Sequence, residues 1–313
     1  MAKCLVLGAN GFIGSHLVDS LVAGGHSVRA FDRFRGTKSR FQPAETVEIF
    51  EGDFMNHQDI TTALEGIEYV FHLVSTTTPA TAENDPRIDV DTNISTSIEL
   101  FRSCVEAKVK RVVFSSTGGA IYGLNEHQPH SELDLPQPIS PYAIGKLTIE
   151  HYLRYFWKKH GLESTVFRIS NPYGERQPLG RKQGVIPIFL EQLAADKPIN
   201  VLGDGSMTRD YIYVKDVADI MAKSISKSLA YDLYNVGTGT GVSIIQLIDT
   251  MERITGKKFA VQHTAMPATY VQEVVLDTER LQADFPELTA GLTDLHEGIQ
   301  KTWQYILAQG TKI

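Results

Sequence analysis

Lys3-Cys-Leu-Val-Leu-Gly-Ala-Asn-Gly-Phe-Ile-Gly14 constrains the fold of this chain more than any other stretch. Cys4–Leu7 is a short apolar run of the kind that forms a buried parallel strand. It stops at Gly8, glycines recur at 11 and 14, and an amphipathic segment starts at Phe12. A strand, a glycine turn and a helix together present free amides and the positive end of a helix dipole to an anion. Missing side chains let a pyrophosphate come close to the backbone. The spacing is G-x-x-G-x-x-G rather than G-x-G-x-x-G. Three glycines alone do not make a dinucleotide site; the rest of the chain must decide.

The chain beyond Gly14 is regular. Apolar runs at 27–31, 47–51, 69–73, 112–115 and 164–168 read as further strands. Helical periodicity fills 12–23, 59–64, 88–107 and 142–160. This alternation predicts an α/β fold, a doubly wound parallel sheet of the Rossmann type, with ligands at the carboxyl ends of its strands. Past Asn171 the pattern is broken by Pro172, Pro178, Gly180 and Gly184. A helix is predicted from Ile186 to Ala195, then a short strand at Val201, a helix after Asp216, a strand at 233–236 and a helix near Ser243. Two last helices are predicted at 278–284 and 294–308. Residues 1–170 thus read as the dinucleotide-binding domain and 171–313 as mainly a smaller substrate lobe, with a segment near 211–240 returning to the first domain.

Composition narrows the partners. A net charge of −7 with no basic block argues against nucleic acid. No apolar stretch approaches ~20 residues, so no membrane span is expected. The strand starting at once after the N-terminus leaves no room for a signal peptide. The only cysteines, Cys4 and Cys104, lack metal-ligand spacing and read as buried thiols of a reducing cytoplasm.

Several side chains just past strands can carry chemistry. Asp32 ends the second strand and can accept hydrogen bonds from ribose hydroxyls while repelling a 2′-phosphate, which favours NAD over NADP. Arg33 and Arg35 weaken that preference. Asp53 suits an adenine edge, although a turn or cap role is the plainer reading. Tyr142 and Lys146 lie four apart on a predicted helix and share a face. A phenol of pKa ~10 is a poor base at neutral pH unless positive charge, here an ammonium and a nicotinamide ring, stabilises its phenolate. Ser115-Ser116-Thr117 supplies hydroxyls directly after the fifth strand. A Tyr-x-x-x-Lys pair is more often a solvated helix face, but here the hydroxyls and the glycine turn belong to the same strand edge.

Taken together, these segments resemble the extended short-chain dehydrogenase/reductase family, in its nucleotide-sugar epimerase branch. The likeness runs nearly end to end, through GANGFIGSHL, GDF, VFHLVS, FSSTGGAIYG, SPYAIGK, RISNPYGERQ and GDGSMTRDYIYVKDV. It implies that Thr117, Tyr142 and Lys146 form a hydroxyl–Tyr–Lys triad with Ser116 beside it. It implies NAD contacts from Gly8, Asn10, Gly11, Phe12, Ile13, Gly14, Asp32, Arg33, Asp53, Phe54, Leu73, Val74, Ser75 and Ser115, and from Tyr142 and Lys146 themselves. Asn93 would sit near the triad, and Asn171 and Arg209 would hold a nucleotide diphosphate, a task that suits a guanidinium. For Arg209 the plainer reading is an ion pair with Asp210.

By that resemblance the chain is an NAD-dependent 4-epimerase of UDP-glucose and UDP-galactose or their N-acetyl forms. Tyr142 would remove a proton, NAD would take the C4 hydride, and the keto sugar would turn before the hydride returns. A homodimer is implied as well, packed through the helices at 94–107 and 142–160. Tyr152, Tyr155, Phe156 and Trp157 supply more aromatic surface than one inward face requires, unless they serve the chain's own core. Two departures matter. His-Leu-Val-Ser replaces the usual His-Leu-Ala-Ala at 72–75. A second phosphate-binding Arg, usual about ten residues before the Asp that is Asp277 here, is replaced by Pro267 and Ala268. The second departure motivates an alternative, a reductase or dehydrogenase of the same family acting on another substrate. Gly118-Gly119-Ala120 after Thr117 supplies no acid–carboxylate pair, which disfavours dehydration and decarboxylation.

Overall fold

The computed structural model describes all residues but 78, 126, 181–183, 266–270 and 311–313. Its elements run along the chain as β1 (Lys3–Leu7), α1 (Phe12–Ala23), β2 (Ser27–Asp32), β3 (Val47–Glu51), α2 (His57–Ala63), β4 (Tyr69–His72), α3 (Pro79–Asn84) and α4 (Pro86–Asp89). A π-helical turn, Val90–Ile94, joins α4 to α5 (Ser95–Glu106), and then come β5 (Arg111–Thr117), α6 (Gly118–Ile121), α7 (Pro141–His160), β6 (Glu163–Ile169) and β7 (Asn171–Tyr173). The remainder is α8 (Val185–Ala194), β8 (Ile199–Leu202), β9 (Thr208–Tyr213), α9 (Val214–Lys223), β10 (Leu233–Val236), β11 (Gly241–Ser243), α10 (Ile244–Thr255), β12 (Val261–Thr264), β13 (Glu273–Val274), α11 (Glu279–Asp284), α12 (Pro286–Ala290) and α13 (Leu295–Ala308).

Seven strands form one parallel sheet in the order β10-β6-β5-β4-β1-β2-β3. The order reverses between β1 and β4, which opens a crevice at their carboxyl ends. Both faces are covered. On one, Cys4, Val6, Leu17, Val18 and Leu21 pack with Val217, Ala218, Ile220 and Met221 of α9. On the other, Leu5, Leu7, Val70, Val112 and Phe114 pack with Phe101 of α5 and Ile149, Leu153 and Phe156 of α7. Each central strand is apolar at successive positions because both its faces are buried. A third cluster, including Tyr173, Ile186, Leu190, Tyr211, Leu247 and Ile299, is the core of the smaller lobe. There β9 pairs with β7, β11 and β13, and β8 pairs with β12.

After β9 the chain crosses to the large sheet at Val214. Helix α9 covers the first domain's sheet, and β10 adds its edge strand beside β6. The short strands β7, β9, β11, β12 and β13 are not foreseen by the sequence pattern. The helix predicted at 88–107 is three pieces, α4, the π turn and α5. One continuous apolar period cannot reveal a local register change.

The opening glycines act through close backbone contact. Gly8 adopts φ +87°, and its carbonyl oxygen would lie 2.0 Å from a Cβ at residue 14 and 3.0 Å from one at residue 11. Helix α1 can therefore start directly against the end of β1 only if residue 14 has no side chain. Gly14→Ala should lower stability by about 1–3 kcal/mol and weaken NAD binding; chemical denaturation with and without NAD measures both.

Candidate active site

The crevice holds a cavity of about 760 Å³. Strand ends and loops from both lobes line it, and its two ends differ in chemistry. At one end stand Gly8, Asn10, Gly11, Phe12, Ile13 and Gly14 with Asp32, Arg33, Arg35, Asp53 and Phe54. At the other stand Ser115, Ser116, Thr117, Gly119, Ala120, Tyr142, Ser170 and Asn171, with Thr76 and Thr77. Leu73, Val74 and Ser75 lie on the wall after β4. The volume and the glycine cradle fit a dinucleotide.

Asp32 builds the first end. Its carboxylate accepts the Asn10 N–H at 2.9 Å and the Arg33 N–H at 2.8 Å, which ties the turn after β2 to the glycine loop. Asn10 Oδ1 accepts the Arg40 N–H at 2.8 Å. Asp53 is a turn residue as well as a lining one, since its Oδ1 accepts the Met55 N–H at 3.0 Å.

The second end is built by β5 and α7. Ser140 caps α7, and Pro141 starts it, so Tyr142 sits in the first turn. Lys146 is one turn further on and buried; its Nζ donates to the Ser115 carbonyl at 2.8 Å and lies 5.9 Å from the centroid of the Tyr142 ring. Burial lowers the Lys146 ammonium to about 8, while the charges of Asp89 and Glu150 work to keep it protonated. Burial also raises the Tyr142 phenol to about 12, and the Asp89 charge adds to this. The sequence predicts a phenol lowered by Lys146, whereas in the protein alone desolvation outweighs that attraction. In the protein alone the protonated phenol of Tyr142 is therefore favoured.

Most of the predicted site residues line this one cavity; Lys146, Asn93 and Arg209 do not. Lys146 lies beneath Tyr142. Asn93, in the π turn, donates from Nδ2 to Thr77 Oγ1 at 2.9 Å and Asp89 Oδ1 at 2.8 Å, and its Oδ1 accepts the Thr76 N–H at 2.9 Å. It braces the loop after β4. Arg209 donates to the carbonyls of Val271 at 2.8 Å and Gln272 at 3.3 Å. Asp210 instead accepts from Thr238 and from the Gly239 N–H. Ser116 also differs from expectation. Its hydroxyl donates to Glu150 Oε1 at 2.5 Å, and Glu150 is paired with Arg168 at 2.7 Å, so this serine braces the triad strand against α7. Asn171 donates from Nδ2 to the Asp210 carbonyl at 2.9 Å. Pro267 and Ala268, which stand in place of the second arginine, lie outside the described residues.

Two carboxylates are missing from the sequence-based site. Glu150 continues the spacing of Tyr142 and Lys146 by four residues, a signal that could have found it. Asp89, 3% exposed, reads in the sequence as an ordinary polar residue of a proline-started helix.

The two glycines after Thr117 do different work. A Cβ on Gly118 would lie 2.5 Å from Leu276 Cδ1 and 2.9 Å from the Arg168 carbonyl oxygen, so Gly118 lets the smaller lobe pack on the triad loop. A Cβ on Gly119 would meet nothing closer than 3.5 Å, and Gly119 faces the cavity. Among the described lining residues the only carboxylates are Asp32 and Asp53, both at the glycine-loop end.

A Rossmann crevice whose far end carries hydroxyls and a Tyr–Lys pair, the lysine buried and the tyrosine facing the cavity, defines the dinucleotide-binding class of α/β enzymes. Comparison with known proteins agrees, and the chain belongs to the NAD dependent epimerase/dehydratase family, which it matches over residues 4–237. It is 36% identical over 253 residues to the UDP-glucose 4-epimerase of Mycolicibacterium smegmatis, covering 78% of this chain and 80% of that one. It is 30% identical over 286 residues to a dTDP-4-dehydro-6-deoxyglucose reductase of Escherichia coli, covering 90% of each. The crystal structure of the UDP-glucose 4-epimerase of Thermotoga maritima with UDP-glucose superposes with a TM-score of 0.89 at 34% identity, over 98% of this chain and 99% of that one. The cofactor is accordingly NAD.

The glycines give a direct test. Gly118→Ala should lower the melting temperature by several degrees through the clash with Leu276 and the Arg168 carbonyl. Gly119→Ala should leave stability within about 1 kcal/mol of wild type. Thermal melts of the two variants separate the glycines.

Proposed function

We propose that the protein is a nucleotide-sugar 4-epimerase acting on UDP-hexoses. The observation that carries this reading is the composition of the cavity's triad end. Thr117 and Tyr142 face it, Lys146 stands behind them, and among the described residues no carboxylate shares that end. Dehydration and decarboxylation of sugars need an added acid or base at the carbon beside the oxidised one. Epimerisation needs only a proton acceptor at one oxygen and room for the ring to turn, which Gly119 leaves.

The chain's own residues divide the work. The glycine loop and Asp32 hold the adenosine and pyrophosphate of NAD, which supplies the hydride acceptor and donor. Thr117 orients the 4-hydroxyl of the sugar toward Tyr142. Tyr142 accepts that proton at its phenolate oxygen and returns it at the end of the cycle. Lys146, fixed by the Ser115 carbonyl, stabilises the phenolate. Asn171 and Arg209 hold the nucleotide end of the substrate, Arg209 by exchanging backbone carbonyls for phosphate oxygens.

A second reading is a nucleotide-sugar 4-ketoreductase with net consumption of reduced cofactor. The likeness to the Escherichia coli reductase favours it. Incubation with UDP-galactose and UDP-N-acetylgalactosamine, without added NAD, should yield the C4 epimers with no accumulation of NADH. Stoichiometric NADH oxidation with a 4-keto sugar nucleotide would favour the reductase, and no product from any UDP-, GDP- or dTDP-hexose would exclude the epimerase. Tyr142→Phe should retain NAD and lose about 10²–10⁴-fold in turnover.

The dimer is likewise a proposal. Tyr155 is 51% exposed and Trp157 41%, whereas Phe156 is buried. Ile88, Val90 and Ile144 are also exposed. Such surface on neighbouring helices suits a second copy of the chain. Light scattering should give twice the chain mass of 34.7 kDa, and a clean monomer would refute it.

A further inference from the structure

Asp89 has no part in the chemistry assigned so far, yet it is 3% exposed and lies under the triad helix. Its Oδ1 accepts the Thr77 hydroxyl at 2.5 Å and the Asn93 side-chain amide at 2.8 Å. Its Oδ2 lies where residue 145 would carry a side chain, 1.8 Å from an ideal Cβ built on Gly145. Gly145 is the residue before Lys146 and three after Tyr142. The carboxylate is therefore held by the loop after β4 and by the π turn, and it presses on α7 between the two residues of the proton-transferring pair.

Burying an ionised carboxylate is costly unless it meets donors or positive charge. The charges around Asp89 leave few partners. Arg87, on its own helix, is at the surface and paired with Asp91. Asp85 caps the start of α4. Glu150, on α7, is committed to Arg168 and Ser116. His72, at the end of β4, is kept neutral by burial, which lowers it to about 3. Among the described residues, the titratable groups left to answer Asp89 are Tyr142 and Lys146.

We propose that Asp89 is a positioning residue for the Tyr142–Lys146 pair: its carboxylate, clamped by Thr77 and Asn93 against Gly145, fixes α7 at the triad and sets the charge balance between phenol and ammonium. A negative charge there opposes the phenolate and supports the ammonium. Both directions agree with the raised phenol of Tyr142 and with the part Asp89 plays in keeping Lys146 protonated. Asp89 thus favours the protonated phenol of Tyr142 and, together with Glu150, the charged ammonium of Lys146. The wide-spaced π turn places Asn93 where it can serve both the carboxylate and the Thr76 amide, in keeping with the habit of π turns to occur at functional sites.

The inference rests on the proton-transfer role given to Tyr142, so its test uses no sugar. Asp89→Asn is isosteric and retains an acceptor for Thr77 and Asn93. In NAD-loaded protein, the phenolate absorbance of Tyr142 is isolated by subtracting the Tyr142→Phe protein, with each 89 variant compared in both backgrounds. Its titration midpoint should fall by about half a unit or more in Asp89→Asn. An unchanged midpoint in a folded, NAD-binding variant would overturn the electrostatic role. Epimerase turnover plays no part in this readout, so failure of the functional reading would be seen separately, as absent product from sugar nucleotides with a shifted midpoint. Should Asp89→Asn not fold, the contact at residue 145 decides. Gly145→Ala should lower the melting temperature, and Asp89→Ala in the same chain should restore part of the loss. Equal losses with and without the carboxylate would refute the clamp.

Discussion

The contact on which the rest of this molecule depends is backbone against backbone, the Gly8 carbonyl lying where residue 14 would carry its side chain. It brings the start of α1 to the end of β1 and so aims the helix N-terminus into the crevice where the strand order reverses. A Cβ on Gly8 would meet the Val74 amide at 3.3 Å, so the loop after β4 also closes on this point. Three elements converge with no side chain between them, which lets an anion approach bare amides. The position of every other residue around the cavity is measured from this corner.

At the far end the limiting factor is charge. An ammonium, a phenol and two carboxylates, Lys146, Tyr142, Asp89 and Glu150, sit close together. Each charge is tolerated because another element supplies a partner: Arg168 from β6 for Glu150, Thr77 and Asn93 for Asp89, the Ser115 carbonyl for Lys146. Burial and the nearby carboxylate raise the phenol of Tyr142, and under the proposed function it is the group that changes protonation.

The sheet was legible because buried parallel strands write themselves as apolar runs, and Val47–Glu51 and Leu233–Val236 match their expected bounds residue for residue. The cavity's lining was legible for a related reason, since residues just past a parallel strand lie at its carboxyl end. The direction of a hydroxyl was not. Ser115, Ser116 and Thr117 alternate along β5, and nothing in their order tells that Ser116 turns to Glu150. The small lobe was read poorly because β7, β11 and β13 have three residues or fewer, too few to show a period. Asp89 stayed hidden because its partners, Thr77, Asn93 and Gly145, come from three separate segments, and only the fold brings them together.

The return of the chain to its first sheet bears on how the two lobes can be handled. Strand β10 pairs along β6 from Val166 to Ile169, and α9 covers the same face as α1. A fragment cut after residue 170 would keep the glycine loop and the triad but expose β6 as an unpaired edge, with the apolar ground beneath α9 laid open. Such an edge invites pairing with other chains. The boundary between the two lobes is therefore not a point at which this polypeptide can be divided, and grafting a foreign small lobe would have to preserve several chain crossings, since α9, β10 and α11 belong to the large core while α10 and α13 belong to the small one.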